Sequence, residues 1–431
     1  MTKKYDKAIF ALALPALGTL AADPLVSLID TAFIGRLGSV HLAALGINVA
    51  LFSLAFFVFN FLAYGTTPMV GRAVGKADYH RAGQIASQAL FLAALLGLLA
   101  VTVLELFATP LLSLMGAKDE LLEPALNYLR IRALAGPAVL IITAANGIYR
   151  GFQDTKTPLY ISLSVSAINL ILDPLFIFVA GWGITGAALA TLIAQWFGAL
   201  VFLWFLFKRQ KEQFKIPLHL PKLADLRPFL KIGWELALRT TSLILTFTLA
   251  TAIASRVGIV AVAAHQVAFE LWVFMALLVD ALAIAAQALV ARYLGESKFK
   301  EAEAVANRLL YFGLLVGAAL GVLFWLARPL LTGLFTNDPE VTKAVLSIFP
   351  FIAIMQPLNA LVFVWDGIFI GAEQFRYIAV AMIVSALCAA CLLFLVLPLN
   401  WGLSGVWWGL ILLMGSRLLS LAWRYRTRGL R

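Results

Sequence analysis

The chain has 431 residues, of which 62% are hydrophobic and only 13% charged, with a formal net charge of +11 at pH 7. That balance lies outside the range of water-soluble domains and excludes a soluble fold. Apolar runs of about 20 residues or more, each enough to cross about 30 Å of hydrocarbon, recur from end to end, so the fold class is an all-α polytopic membrane protein.

In chain order the runs predict twelve transmembrane helices, at about 8–35, 42–70, 84–109, 121–149, 157–181, 184–207, 228–255, 262–291, 304–331, 340–370, 374–398 and 401–423. The first run is too long for a removable signal peptide and has no small-residue cleavage site behind a short apolar core. It carries Asp30 within PLVSLIDTAFIG, and Asp23 seven residues earlier, ahead of Pro24. A charged aspartate at mid-helix is disfavoured by about 2.5–3.5 kcal/mol on insertion scales, so Asp30 needs a proton or a partner.

Counting depth from the helix ends names the partners. Asp30 lies about 9 Å below Arg36 at the helical rise. Span 5 holds Asp173 in its outer half, with Asn169 one turn away on the same face. Span 4 brings Tyr128, and span 6 Thr191, to a similar level. Two carboxyls sharing such a level away from water are suited to taking up and releasing protons. The alternative is a polar cluster that only fixes helix packing. For Asn169, Tyr128 and Thr191 singly the two readings stand even, whereas carboxyls inside a membrane usually mark function.

The hydrophilic stretch KRQKEQFKIPLHLPKLADLRP at 208–228 divides the spans six and six. This gives an amino-terminal lobe at 1–207, a linker at 208–227 and a carboxy-terminal lobe at 228–431. In the second lobe Glu235 and Arg239, spaced i, i+4, read as a structural pair. Glu270 and Asp280 in span 8 are ten residues, about 15 Å, apart and so not a close pair, but are candidates for meeting a cationic substrate or a cation; Asp366 in span 10, where the first copy has Asn146, reads equally as a capping or packing residue. Glu105 has no evident partner. GRAVGKAD lacks Walker A spacing, Cys388 and Cys391 read as two buried thiols, and the four histidines have no metal-site spacing. With no nucleotide site, energy must come from an ion gradient or from the substrate's own.

Lysine and arginine crowd one side: Lys3, Lys4 and Lys7, the loops at Arg72–Arg81 and Arg150–Lys156, the linker, and the tail from Arg424. The positive-inside rule puts both termini in the cytoplasm, and nucleic-acid binding is not needed to explain the charge. Arg130 and Arg132, in the outer part of span 4, run against this trend. The halves also repeat. At an offset of 220 residues IDTAFIGRLGSVHLAAL (29–45) lies on LATAIASRVGIVAVAAH (249–265), Arg72 and Gly75 on Arg292 and Gly295, and NGIYRG (146–151) on DGIFIG (366–371). Asp30 falls on Ala250, so the shared architecture does not require the carboxylate. An even number of spans per copy makes the repeat parallel, which favours a carrier over a pore.

LALPAL with Pro15, LIDTAFIGRLG, RGFQDTKTP, NLILDPLFI, AAHQVAF, LVDALAIAAQALVARYLG and DGIFIGA are spread over residues 8–423. Together these segments resemble the multidrug and toxic compound extrusion (MATE) family, in its DinF-type branch. The resemblance implies two six-helix lobes in a V-shaped arrangement that export drug-like, often cationic or amphipathic compounds by cation antiport. It implies that Asp30 and Asp173 titrate, that Asn169, Tyr128 and Thr191 complete their network, and that Pro15 lets span 1 bend. Protons are the expected coupling ion and sodium the alternative, with no cofactor. The expected setting is a prokaryotic cytoplasmic membrane, the expected state a monomer among lipids, and the expected partners small organic substrates. A lipid-linked precursor flippase is the rival carrier, but it would be expected to have a strongly basic cavity. A channel would need a filter motif that is not recognisable here.

Overall fold

The computed structural model describes residues 4–209, 212, 216–217, 221–335 and 338–430, without the side chains of Asp23, Arg209 and Leu223. Among them, eleven helical runs are long and apolar enough to cross a membrane, and a twelfth span is a pair of helices bent by 47° at a short break. These are the twelve spans read from the apolar runs. The chain divides into two compact units, Leu14–Gly233 and Met1–Ala13 with Trp234–Arg431.

The unit Leu14–Gly233 contains most of α1 (Asp6–Gly35), then α2 (Ser39–Phe57), α3 (Phe61–Gly75), α4 (Tyr79–Leu106) and α5 (Ala108–Leu114). It continues with α6 (Leu122–Ala133), α7 (Gly136–Gly151), α8 (Lys156–Pro174) and α9 (Gly183–Trp204). A single tight turn, Val58–Asn60, joins α2 to α3 as one span. Ile34, Leu45, Leu104, Leu112, Leu129 and Ile184 belong to one apolar cluster that ties α1 to five other helices. A close crossing of α7 on α3 depends on Gly147, where an added Cβ would sit 2.9 Å from the Cα and carbonyl oxygen of Ala63. Between helices in lipid, small residues permit this approach. Gly147→Val should therefore cost about 1–3 kcal/mol and lower the melting temperature of the detergent-solubilised protein.

The second unit holds α10 (Arg227–Val257) from Trp234 onward, α11 (Ile259–Gly295), α12 (Phe299–Phe335), α13 (Pro339–Gly371), α14 (Phe375–Leu395) and α15 (Gly402–Arg428). Along α12, Gly317 faces the Gln356 carbonyl of α13 at a hypothetical Cβ distance of 2.7 Å, another crossing only a glycine admits. The first two turns of α1 also belong here, a boundary the sequence does not indicate. Ile9 and Leu12 are buried with Leu282, Leu289 and Leu309. Asp6 accepts two hydrogen bonds of 2.8 Å from Arg308. Cys388 and Cys391 lie exposed on α14, not buried as expected, because they sit on its outward stripe.

The repeat appears in the backbone of the turns. Gly38 and Gly258, 220 residues apart, both have positive φ just ahead of a helix. Ala77 pairs in the same way with Ser297, and Gln153 with Glu373, all with φ between 56° and 65°. Each of these four closes a helix by a Schellman arrangement. In the first, the amide of Asp78 donates to the Ala73 carbonyl and that of Ala77 to the Val74 carbonyl, both at 2.9 Å. Left-handed backbone is costly for residues with a Cβ. Ala77→Gly and Ser297→Gly should each raise stability by up to about 1 kcal/mol, read as a higher melting temperature.

Candidate functional site

Four helices of the unit Leu14–Gly233 place their polar side chains at one level. Asp30 comes from α1, Tyr128 and Arg132 from α6, Asn169 and Asp173 from α8, and Thr191 from α9. α1 stays helical through Pro15 and Pro24, and the Thr19 hydroxyl donates to the Pro15 carbonyl at 3.1 Å. α8 ends at Pro174, directly after Asp173, and the chain widens into a π turn over Leu175–Val179. Proline cannot donate to the helix ladder, and such wide turns gather at functional sites.

Asn169 is the hub. With its amide oriented so that both ends are satisfied, Nδ2 donates to Asp30 Oδ1 at 3.0 Å and to Asp173 Oδ2 at 3.1 Å. Its Oδ1 then accepts from the Thr191 hydroxyl at 3.2 Å. Turned the other way, Nδ2 donates to Thr191 Oγ1 at 3.2 Å while the Thr191 hydroxyl donates to the Ala187 carbonyl at 3.0 Å. Asp173 is fully buried and Asn169 and Tyr128 nearly so, whereas Asp30 is half-buried. Asp30 and Tyr128 line an open cavity of about 420 Å³, with Phe52, Thr143, Asn146 and Phe202 among its walls. Asp30 thus faces the cavity while the fully buried Asp173 lies behind it.

Three features were not legible beforehand. α6 stops at Ala133 and α7 starts at Gly136, and the Trp196 indole donates to the Leu134 carbonyl at 3.1 Å in the gap. Arg130 lies on the outer side of α6, 3.9 Å from Glu105, which supplies the partner that Glu105 was expected to lack. Arg132, two residues on, turns to the cavity and places its guanidinium 5.3 Å from the centre of the Phe52 ring. Residues two apart on a helix face different sides, the one signal that separates these arginines in sequence.

In the second unit the acids do not form one site. Glu270 is exposed and accepts from Gln266 at 2.8 Å, and Asp280 is half-buried on α11. Asp366 is buried and takes hydrogen bonds from both Arg239 and Arg417 on the same oxygen. The pairing expected for Arg239 with Glu235 gives way to one with Asp366, since a buried carboxylate demands a cation more strongly than a half-buried one. His265 is buried, with Nε2 3.2 Å from the Thr251 hydroxyl.

Comparison with known proteins decides what kind of molecule this is. The MatE family model matches twice, over residues 15–175 and 236–395. The chain belongs to the MatE family. MatE proteins are secondary transporters of the multidrug and toxic compound efflux class that bind small organic substrates, not enzymes, and this one is a multi-pass membrane protein. It is 38% identical to Protein DETOXIFICATION 44, chloroplastic, of Arabidopsis thaliana, over 99% of this chain and 83% of that protein. It is 28% identical to DNA damage-inducible protein F of Escherichia coli (strain K12), over 98% of this chain and 93% of the relative. A crystal structure of MATE in the bent conformation superposes with a TM-score of 0.92, covering 99% of this chain and 96% of that one at 24% identity. The two MatE matches each fall within one copy of the internal repeat.

Proposed function

We propose that this MatE protein is a proton-coupled antiporter that exports drug-like, often cationic or amphipathic compounds by alternating access. The observation that carries the reading is Asn169 bridging Asp30 and Asp173 at the wall of the cavity. An amide offers donors on one end and an acceptor on the other, so it can satisfy the acids in either state. With ionised carboxylates the NH₂ faces them, and with protonated carboxyls the carbonyl faces them while the NH₂ turns to Thr191. Tyr128 belongs to the same cavity wall. Pro15 supplies a position at which α1 can bend as Asp30 changes state.

Protons taken up from outside neutralise the cluster and release a cationic substrate, and loss of the protons inside restores its charge. Each proton entering down 100 mV contributes about 2.3 kcal/mol. Protons are favoured over sodium because Asp366, the buried acid of the second unit, is already held by two guanidinium groups. The excess of lysine and arginine in the amino-terminal tail, the alternate loops and the carboxy-terminal tail supports cytoplasmic termini. A prokaryotic cytoplasmic membrane is the setting proposed by analogy with the Escherichia coli relative, and a plastid membrane is the alternative favoured by the higher identity to the chloroplastic relative. The test is uptake of a fluorescent cationic dye into proteoliposomes under an imposed pH gradient without sodium. Uptake that collapses with a protonophore is expected; uptake that requires sodium contradicts the proposal.

A further inference from the structure

We infer that Arg132 sets the charge class of the substrate, restricting the cavity to compounds with no more than one positive charge. The inference rests on the export reading above and adds to it the residue that filters by charge. Among the described residues lining the cavity, Asp30 and Arg132 are the charged ones, and Asp173 joins them from behind through Asn169. Arg132 and Tyr128, both on α6, line this cavity together with Asp30.

A guanidinium is tolerated at this depth for two local reasons. It stands in the last turn of α6, whose carbonyl end favours a cation, and it lies over the face of Phe52. Neither contact turns it away from the cavity. Arginine stays charged at every working pH, so its field persists through the cycle while the acids gain and lose protons. A monovalent cation can approach Asp30 with its single charge and rest its apolar body against the aromatic wall. A second cationic group has to lie within the same cavity of about 420 Å³ and meets the fixed positive charge of Arg132. Like charges a few ångströms apart in such a medium repel strongly enough to change affinity by about tenfold or more.

The sequence hides this filter. There Arg132 stands with Arg130 as an exception to the charge asymmetry. Their two-residue spacing puts them on different sides of α6, but only the structure shows that the side of Arg132 faces a cavity.

Ethidium and propidium test the inference, because they share a ring system and differ by an added quaternary ammonium arm. Their dissociation constants are measured by fluorescence on the purified full-length protein at pH 8. The wild type should favour ethidium, and Arg132→Gln should reduce the ethidium preference by about tenfold. Arg132→Lys, which keeps the charge, should stay within about twofold of wild type. Ser53→Asp, which adds a carboxylate to the same wall next to Phe52 and leaves Arg132 in place, should also relax the preference. It serves as the second probe should Arg132→Gln fail to fold. An unchanged ratio in Arg132→Gln, or in Ser53→Asp where that is the only stable variant, overturns the inference. So does an equal weakening of both dyes. If the wild type binds neither dye, the cavity is not a site for organic cations and both readings fall. If both dyes bind with the expected ratios but no proton coupling is found, only the coupling proposal fails.

Discussion

Asp30→Asn and Asp173→Asn each lower the initial rate of pH-driven dye transport at least tenfold while leaving the protein folded. The argument is chemical before it is structural. Asparagine has the shape of protonated aspartic acid but can neither release a proton nor carry a charge. At position 30 the replacement still faces the Asn169 amide, and at position 173 it still fills a fully buried space. Stability should change little, because a neutral group replaces an ionisable one where charge is costly. Thermal melting in detergent separates the two outcomes: a near-normal melting temperature with lost coupling is expected. Undiminished pH-driven transport in both variants would remove the cluster from the coupling mechanism.

The second large effect is on stability. Asp366→Ala leaves Arg239 and Arg417 facing each other inside α10, α13 and α15 without their carboxylate. The Arg417 and Asp366 side chains are only 3% and 7% exposed, so the pair is not screened by water. Removing one partner of a buried ion pair costs about 3–5 kcal/mol, because the remaining charge is uncompensated. We expect a large fall in melting temperature for Asp366→Ala. The double variant Asp366→Ala/Arg417→Met should recover part of it, since an apolar side chain of similar length removes one stranded cation. The folded fraction should retain sodium-independent coupling. A variant of full stability that loses transport would show that Asp366 carries the coupling ion or the substrate, and would move the site to the second unit.

The spans and the repeat were readable from sequence because both are properties of local pattern: apolar runs of membrane length, and residues 220 apart that fall on one another. The companionship of Asp30 and Asp173 could be reached by counting helical rise, since both helices cross the same slab of hydrocarbon. Depth alone does not give direction. It put Tyr128 and Thr191 at one level but could not say that Asn169 would sit between the acids, nor that Arg132 would turn inward where α6 breaks. The partners of Asp366 were out of reach for a different reason. They lie 127 and 51 residues away on other helices, and the nearer i, i+4 candidate, Glu235, drew Arg239 instead. The anchoring of α1 by Asp6 and Arg308 was hidden in the same way, being a contact between residues 302 apart. The lobe assignment of the first thirteen residues therefore followed chain order, not packing.

The most direct measurement of the central claim is the proton movement that a substrate gradient evokes. Proteoliposomes containing the protein and a trapped pH indicator are given a monovalent cationic substrate on the outside, in sodium-free buffer without a pH gradient. Antiport predicts that the lumen turns alkaline as substrate enters and protons leave, and that the signal disappears in Asp30→Asn and Asp173→Asn. Substrate entry with no change in luminal pH, or entry that appears only when sodium is supplied, would contradict the account.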